Sequence, residues 1–321
     1  MKVFLAGATG AIGRPLVDRL LAGGHEVTAL TRSEASAAAL RERGVSAVVA
    51  DAFDRDAVIA AVVAAQPEVV INQLTALPQH IPVQSYAKAL EPTNRLRREA
   101  GPILAEAAVA AGARRLIAQS VAFFLAPDPG KVLDESAPVW AAPPRPLTSA
   151  AEAMMTLERA VLEAPGIEGL VLRYGYFYGP GSSFARDGSS SRDVARGRFP
   201  VVGDGGGLFS FIHVDDAAAA TVAALDHGAP GVYHVTDDQP VAQRDWLPEM
   251  ARAMGAPKPR RIPAWLAGLV AGPGIARAAQ QLPGASNAKA KRELDWAPSR
   301  PTYREGFAEV FSGSSMTSPP A

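Results

Sequence analysis

The sequence predicts an α/β protein: a doubly wound parallel sheet followed by a smaller, loop-rich lobe. Strand-like apolar runs alternate with amphipathic helical stretches in four successive βα repeats. The first repeat holds a glycine-rich turn within Lys2 to Gly13, KVFLAGATGAIG. Beyond Gly181 the texture changes to glycine- and serine-rich loops between short elements.

Val3, Phe4 and Leu5 predict a buried first strand, and Ile12, Leu16, Leu20 and Leu21 predict the helix after it. Gly7, Gly10 and Gly13 lie between them at three-residue spacing. Without side chains, they let backbone N–H groups approach a pyrophosphate at the positive end of the helix. A merely tight turn is the bland alternative, but the strand before it, the helix after it and a second strand from Glu26 to Leu30 favour a nucleotide cradle.

The second strand closes at Thr31-Arg32-Ser33, about twenty residues past the glycine turn, where an NAD enzyme carries an acid for the ribose 2′-hydroxyl. Arg32 stands there instead. A guanidinium pairs bidentately with a 2′-phosphate, and the hydroxyls of Thr31 and Ser33 add donors, so NADP is favoured over NAD. The competing reading is a solvated surface arginine with Glu34 nearby.

A helix from Glu34 to Arg43 leads to a third strand, Ser46 to Ala50, with Asp51 at its carboxyl end, where it can accept from an adenine amino group. Asp54 is the better cap for the next helix, whose apolar face is Val58, Ala61, Val62 and Ala65. Pro67 ends that helix and the fourth strand, Glu68 to Asn72, follows. A proline-bearing loop is expected from Leu74 to Pro92, then a long helix from Thr93 to Ala111. The fifth strand, Arg115 to Ala118, delivers Gln119 and Ser120 to the sheet edge. After the loop Pro127 to Pro146, a helix from Thr148 to Glu163 and a sixth strand, Gly169 to Arg173, complete a dinucleotide-binding domain at 1–175. A substrate-binding lobe, interleaved with it, is expected at 176–311, with helices at Val214 to Leu225 and Arg244 to Met254 and a strand at Gly231 to Val235. A disordered tail is expected at 312–321.

Lysine plus arginine equals aspartate plus glutamate at 32 each, so the overall balance gives no reason to expect nucleic acid or an anionic membrane. The absence of cysteine excludes disulfides and thiolate nucleophiles, and no metal site is expected. The chain opens directly on a strand, and the apolar stretch Ala264 to Ala271 stops at Gly272-Pro273-Gly274, which reads as a cytoplasmic protein.

Taken in order, these features resemble the extended short-chain dehydrogenase/reductase superfamily, the NAD(P)-dependent epimerases, dehydratases and reductases. The resemblance rests on Gly7-x-x-Gly10-x-x-Gly13, Asp51, Asn94, Leu172-Arg173, Tyr178-Gly179-Pro180-Gly181 and Phe211-Ile212-His213-Val214-Asp215-Asp216. It extends to Glu293-Leu294-Asp295-Trp296 and Tyr303-Arg304-Glu305-Gly306-Phe307. It implies a Rossmann sheet with a smaller C-terminal substrate lobe, and a homodimer through the helices near Thr93 to Ala111 and Thr148 to Glu163. It places Gly7, Thr9, Gly10, Ala11, Ile12, Gly13, Arg32, Asp51, Leu74 and Gln119 along the cofactor. Ser120, Thr148, Tyr178 and the loop after Gly181 would border the substrate. That loop, Gly181 to Ser191, is short of apolar anchors and reads as a mobile lid. His213 falls within a structural helix-start motif.

The resemblance breaks where a catalytic Tyr-x-x-x-Lys is expected, eight residues before Glu158: that register holds Ala150 and Met154. The residues four after the six tyrosines are Leu90, Tyr178, Pro180, Ser182, Asp237 and Phe307, none of them lysine. The expectation is therefore an NADP-dependent reductase, or a related isomerase or dehydratase, acting on a small metabolite with a non-standard proton donor. Ser120 is the first candidate donor and Tyr176 the second, with Thr148 and Ser149 able to hold a water. A catalytically silent NADP(H) sensor, like the nitrogen-repression regulators of the superfamily, is the alternative.

Overall fold

The computed structural model describes residues 1–78 and 85–312. The first half runs β1 (Lys2–Ala6), α1 (Gly13–Ala22), β2 (Glu26–Thr31), α2 (Glu34–Glu42), β3 (Ser46–Val49), α3 (Arg55–Ala65) and β4 (Val69–Asn72). Then come α4 (Tyr86–Arg95), α5 (Gly101–Ala110), β5 (Arg115–Val121), β6 (Val132–Leu133), α6 (Arg145–Leu162) and β7 (Glu168–Tyr174). The second half holds β8 (Tyr176–Tyr178), α7 (Ser189–Ala195), β9 (Val201–Val202), β10 (Leu208–Phe209), β11 (Phe211–His213), α8 (Val214–Ala223) and β12 (Gly231–Val235). It closes with β13 (Val241–Ala242), α9 (Gln243–Ala253), β14 (Arg261–Ile262), α10 (Ala264–Ala271), α11 (Pro273–Gln281), β15 (Gly284–Ala285), α12 (Ala288–Glu293) and α13 (Tyr303–Ser312).

Seven strands form one parallel sheet in the order β12-β7-β5-β4-β1-β2-β3. Side chains along a strand alternate between faces, and β1 is apolar at every buried position, so it feeds two cores. Val3 and Leu5 join the layer built on α1 and α8, and Phe4 and Ala6 join the layer built on α3, α5 and α6. The chain reverses direction across the sheet between β1 and β4, and a crevice opens outside the carboxyl ends there. The seventh strand, β12, comes from beyond the first lobe excursion and pairs with β7 along Leu170 to Tyr174.

One stretch departs from the sequence reading. Helix begins at Tyr86, not Thr93, and carries Pro92 inside α4. A proline ring cannot donate to the ladder and crowds the preceding turn. The helix widens just beyond it into a single π-turn, Leu96–Ala100, where Gly101 N–H reaches Leu96 O, and then resumes as α5. Burial of Leu90, Thr93 and Asn94 outweighs the local proline signal. Residues 79–84 of the expected loop, and the expected tail apart from Ser312, lie outside the described residues.

The lobe has its own aromatic core around Trp246, with Phe184 edge-on at 5.7 Å and Phe211 at 5.2 Å. Gly181 to Ser191 is therefore not short of anchors: Phe184 and Ala185 are buried, and fully buried Ser191 stands in the first turn of α7. The run of serines concealed one aromatic side chain that packs into the lobe core.

Candidate functional site

The carboxyl ends of β1 to β4 and the flank of α4 enclose a cleft of about 820 Å³. Its floor is the glycine turn. Gly7 adopts φ +99°, and a Cβ on it would lie 2.6 Å from Gln73 O. A Cβ on Gly13 would lie 2.1 Å from Gly7 O, whereas one on Gly10 would meet only Gly7 O, at 3.4 Å. Gly7 and Gly13 thus close the strand against the helix, and Gly10 keeps the cleft side bare. Ile12 precedes α1 without a side-chain cap and the first turn holds no acid, so the first helical N–H groups face no competing anion. This cradle fits a pyrophosphate.

Arg32, exposed at the end of β2, lines the same cleft with Ser33 and Ser36. Ser33 caps α2, its hydroxyl accepting from Ser36 N–H at 3.3 Å and donating to Ser36 Oγ at 3.0 Å. Glu34, the neighbour that could have neutralised Arg32, pairs with Arg41 at 3.1 Å. Asp51 stands at the end of β3, its carboxylate accepting from Phe53 N–H at 3.0 Å, while Asp54 caps α3 through Ala57 N–H at 3.1 Å. Sequence reasoning missed Lys88, Glu91 and Arg95, which line the cleft from α4, and the Arg95 guanidinium sits 3.9 Å above the Phe53 ring. Their helical spacing was the available signal, hidden by reading Pro92 as loop.

Along the edge beyond the cleft, Leu74 O accepts from Gln119 Nε2 at 3.2 Å, and Gln73 Nε2 donates to the Tyr174 hydroxyl at 2.9 Å. Burial pushes the Tyr174 phenol up to about 12, so it stays protonated.

Ser120 departs from its expected role. Alternation along β5 turns it toward α6, where it is fully buried and its hydroxyl donates to Glu158 Oε1 at 2.6 Å. The same carboxylate receives Arg173 Nε at 2.8 Å and Arg173 Nη2 at 2.6 Å. Its proton is committed to a buried ion pair and does not reach the cleft. Thr148, half-buried in the first turn of α6, donates its hydroxyl to Pro143 O at 3.2 Å. Ser149 accepts from Arg98 Nη1 at 3.1 Å and from Asn94 Nδ2 at 3.4 Å. Ala150 and Met154 are packed in an apolar cluster with Leu90 and Phe124.

Tyr178, expected beside the substrate, lies in the lobe core, edge-on to Phe307 at 5.5 Å and to His213 at 5.1 Å. The bulge of its ring is accommodated by Gly306, where a Cβ would fall 2.0 Å from its hydroxyl oxygen. Tyr176 is half-buried, stacked on Phe123 at 4.2 Å and tilted against Phe209 at 4.7 Å. His213 accepts from Asp215 N–H at 3.2 Å and so begins α8.

Residues 3–236 match the family model described as the NAD dependent epimerase/dehydratase family. The chain belongs to this family. Among its relatives is a 3-diazoavenalumate denitrifying reductase from a Streptomyces species, 48% identical over 310 residues that cover 96% of this chain and 99% of the relative. A UDP-glucose 4-epimerase from Thermus thermophilus, solved with NAD, superposes with a TM-score of 0.73 at 24% identity, over 98% of this chain and 100% of its own. A human epimerase family protein solved with NADPH gives 0.74 at 19% identity, over 98% and 100%. These two share the epimerase/dehydratase fold with this chain. Family membership and the reductase-named relative support an NAD(P)-dependent oxidoreductase-type enzyme. Among the described residues no helix is long and apolar enough to cross a membrane, and no group of acidic or histidine side chains is placed to hold a metal.

Within the family fold, the ion pair of Glu158 and Arg173 extends sideways. Ser120 pairs with Arg173 and Arg173 with His234 in adjacent strand registers, so the three form one row across the sheet. His234 is fully buried, and burial, reinforced by the Arg173 charge, lowers its pKa to about 3. A histidine whose folded pKa is depressed binds fewer protons folded than unfolded, so stability is intact above its ordinary value near 6.5 and falls as the pH drops toward 3. The expected loss over that window is on the order of 4 kcal/mol. Urea titrations at stepped pH check this: the acid slope should flatten in His234→Phe, and an unchanged slope would refute it.

Proposed function

We propose that this protein is an NADPH-dependent reductase that replaces the diazo group of an aromatic diazo acid by hydrogen. The observation that carries the reading is end-to-end likeness, at 48% identity, to a reductase named for a denitrifying reaction on a diazo compound. The local chemistry supports it. Where the superfamily pattern expects a phenol and an amine, this chain has Ala150 and Met154 in an apolar cluster, and Ser120 is engaged by Glu158. Neither Ala150 nor Met154 can give a proton to a ketone oxygen. A diazonium group needs no protein donor at the hydride step: R–N₂⁺ takes H⁻ at its terminal nitrogen to give R–N=N–H, the N–H proton passes to water, the C–N bond breaks with loss of N₂, and water returns a proton to the carbon, giving R–H.

The residues divide this work. Backbone N–H groups of Ala11, Ile12 and Gly13 take the pyrophosphate, Asp51 the adenine, and Arg32 with Ser33 and Ser36 the 2′-phosphate. A reduced nicotinamide bound in the cleft supplies the hydride. Leu74 and Gln119 border it.

The test mixes NADPH with an aryl diazo carboxylate in D₂O, following NADPH oxidation, N₂ release and deuterium in the C–H product by mass spectrometry. One NADPH oxidised per N₂ released, with solvent deuterium at the former diazo carbon, is the expected result. N₂ loss without matching NADPH oxidation, or no NADPH consumption, would sink the assignment. The solid apolar filling at Ala150 and Met154 favours a second reading, a silent NADP(H) sensor, for which calorimetry shows NADPH binding while the assay shows no turnover.

Cofactor choice is tested separately. Arg32→Ala should weaken NADPH binding ten- to a hundredfold, about 1.5–3 kcal/mol, and leave NADH binding unchanged in calorimetric titrations. Equal losses for both dinucleotides would remove the 2′-phosphate role.

A further inference from the structure

Helix α10 carries four large apolar side chains on its outer side. Trp265 is 69% exposed and Leu269 74%, with Leu266 and Val270 beside them at the same four-residue spacing. Ala267 and Gly268 are buried on the opposite side, toward α11. A soluble chain rarely leaves an aromatic and three aliphatic side chains adjacent on one helix unless that face meets something.

Charge around the helix is segregated in a way the neutral total conceals. Between Glu249 and Glu293 the chain has no acidic residue, while lysine and arginine recur throughout. Lys258, Arg260, Arg261 and Arg277 are exposed and form no ion pair among the described residues. Parallel pairing of β14 with β9 adds a second basic run: Val201 N–H donates to Arg260 O at 2.9 Å, which sets the segment carrying Arg196 and Arg198 beside the one carrying Lys258 and Arg260. Those two arginines are also exposed and without an ion pair among the described residues, Asp193 being the acid closest to them along the chain.

We propose that α10 docks this protein on a bilayer surface bearing anionic lipids. Trp265, Leu266, Leu269 and Val270 enter the boundary between headgroups and acyl chains, and the Lys258, Arg260 and Arg261 cations rest on the phosphates. The helix is too short to span and is uncharged along its length, so it lies in the interface. An acidic protein partner would explain the cations but not a tryptophan beside aliphatic side chains at headgroup depth. A second copy of this chain would bring like charges together around the apolar face.

The experiment is co-sedimentation of the full chain with vesicles of phosphatidylcholine alone and with about a third phosphatidylglycerol. Binding is expected only to the anionic vesicles, with a blue shift of tryptophan emission. Each basic residue near an anionic surface contributes about fivefold, so Arg260→Glu combined with Arg261→Glu should lower binding at least tenfold. Trp265→Ser with Leu269→Ser should abolish both binding and the shift. Val63→Ser, an exposed apolar site on α3, should change neither. No binding to anionic vesicles, equal binding to both kinds, or self-association by light scattering that Trp265→Ser with Leu269→Ser removes would overturn the proposal.

Discussion

Glu158→Ala is expected to lower the unfolding free energy by about 3–5 kcal/mol, enough to leave a marginal chain largely unfolded at 37 °C. The carboxylate accepts from two N–H groups, Nε and Nη2, along one edge of the Arg173 guanidinium and from the Ser120 hydroxyl, and all three residues are buried. Its removal strands the buried Arg173 charge without its partner. Exchanging both charges at once, Glu158→Leu with Arg173→Met, should cost much less, because no unpaired ion is left. Urea unfolding of the two variants decides the matter: a loss under about 1 kcal/mol for Glu158→Ala would show that the pair contributes little.

Gly13→Ala is the second large effect. The added methyl would lie 2.1 Å from the Gly7 carbonyl oxygen, and neither strand nor helix can retreat without breaking the cradle. A cost of about 3 kcal/mol, the upper end for overpacking, is expected, together with loss of measurable dinucleotide binding. Gly10→Ala provides the contrast. Its methyl has room inside the protein, so stability should stay within about 1 kcal/mol, while binding weakens because the methyl occupies the side left for the ligand. If thermal melts ranked the two variants in the opposite order, the division of labour among the glycines would be wrong.

What the sequence made legible was local. The βα rhythm and the glycine turn are written in neighbouring residues, and the parallel sheet and the cleft at its edge follow from them. Arg32 could be read because it ends a strand at a fixed distance from that turn. Direction was less legible than position. Ser120 lies near the carboxyl end of the fifth strand, but a shift of one residue in alternation decides between cleft and α6, and Glu158, which holds it, is 38 residues away. Tyr178 and Phe184 read as pocket and lid because the residues that bury them, Trp246 and Phe307 among them, arrive much later in the chain. Pro92 misled for the converse reason, since tertiary burial of Leu90, Thr93 and Asn94 overruled a strong local signal.

The late arrival of β12 also sets an order of events during synthesis. When residue 174 has left the ribosome, six strands can pair, but β7 then presents a bare edge from Leu170 to Tyr174, apolar at nearly every position. Its partner is translated some sixty residues afterwards, a delay of several seconds at ordinary elongation rates. Throughout that interval the nascent chain holds an open template for strand addition by other chains. A ribosome stall or a proteolytic cut after β8 would release a fragment that aggregates instead of a stable nucleotide-binding half.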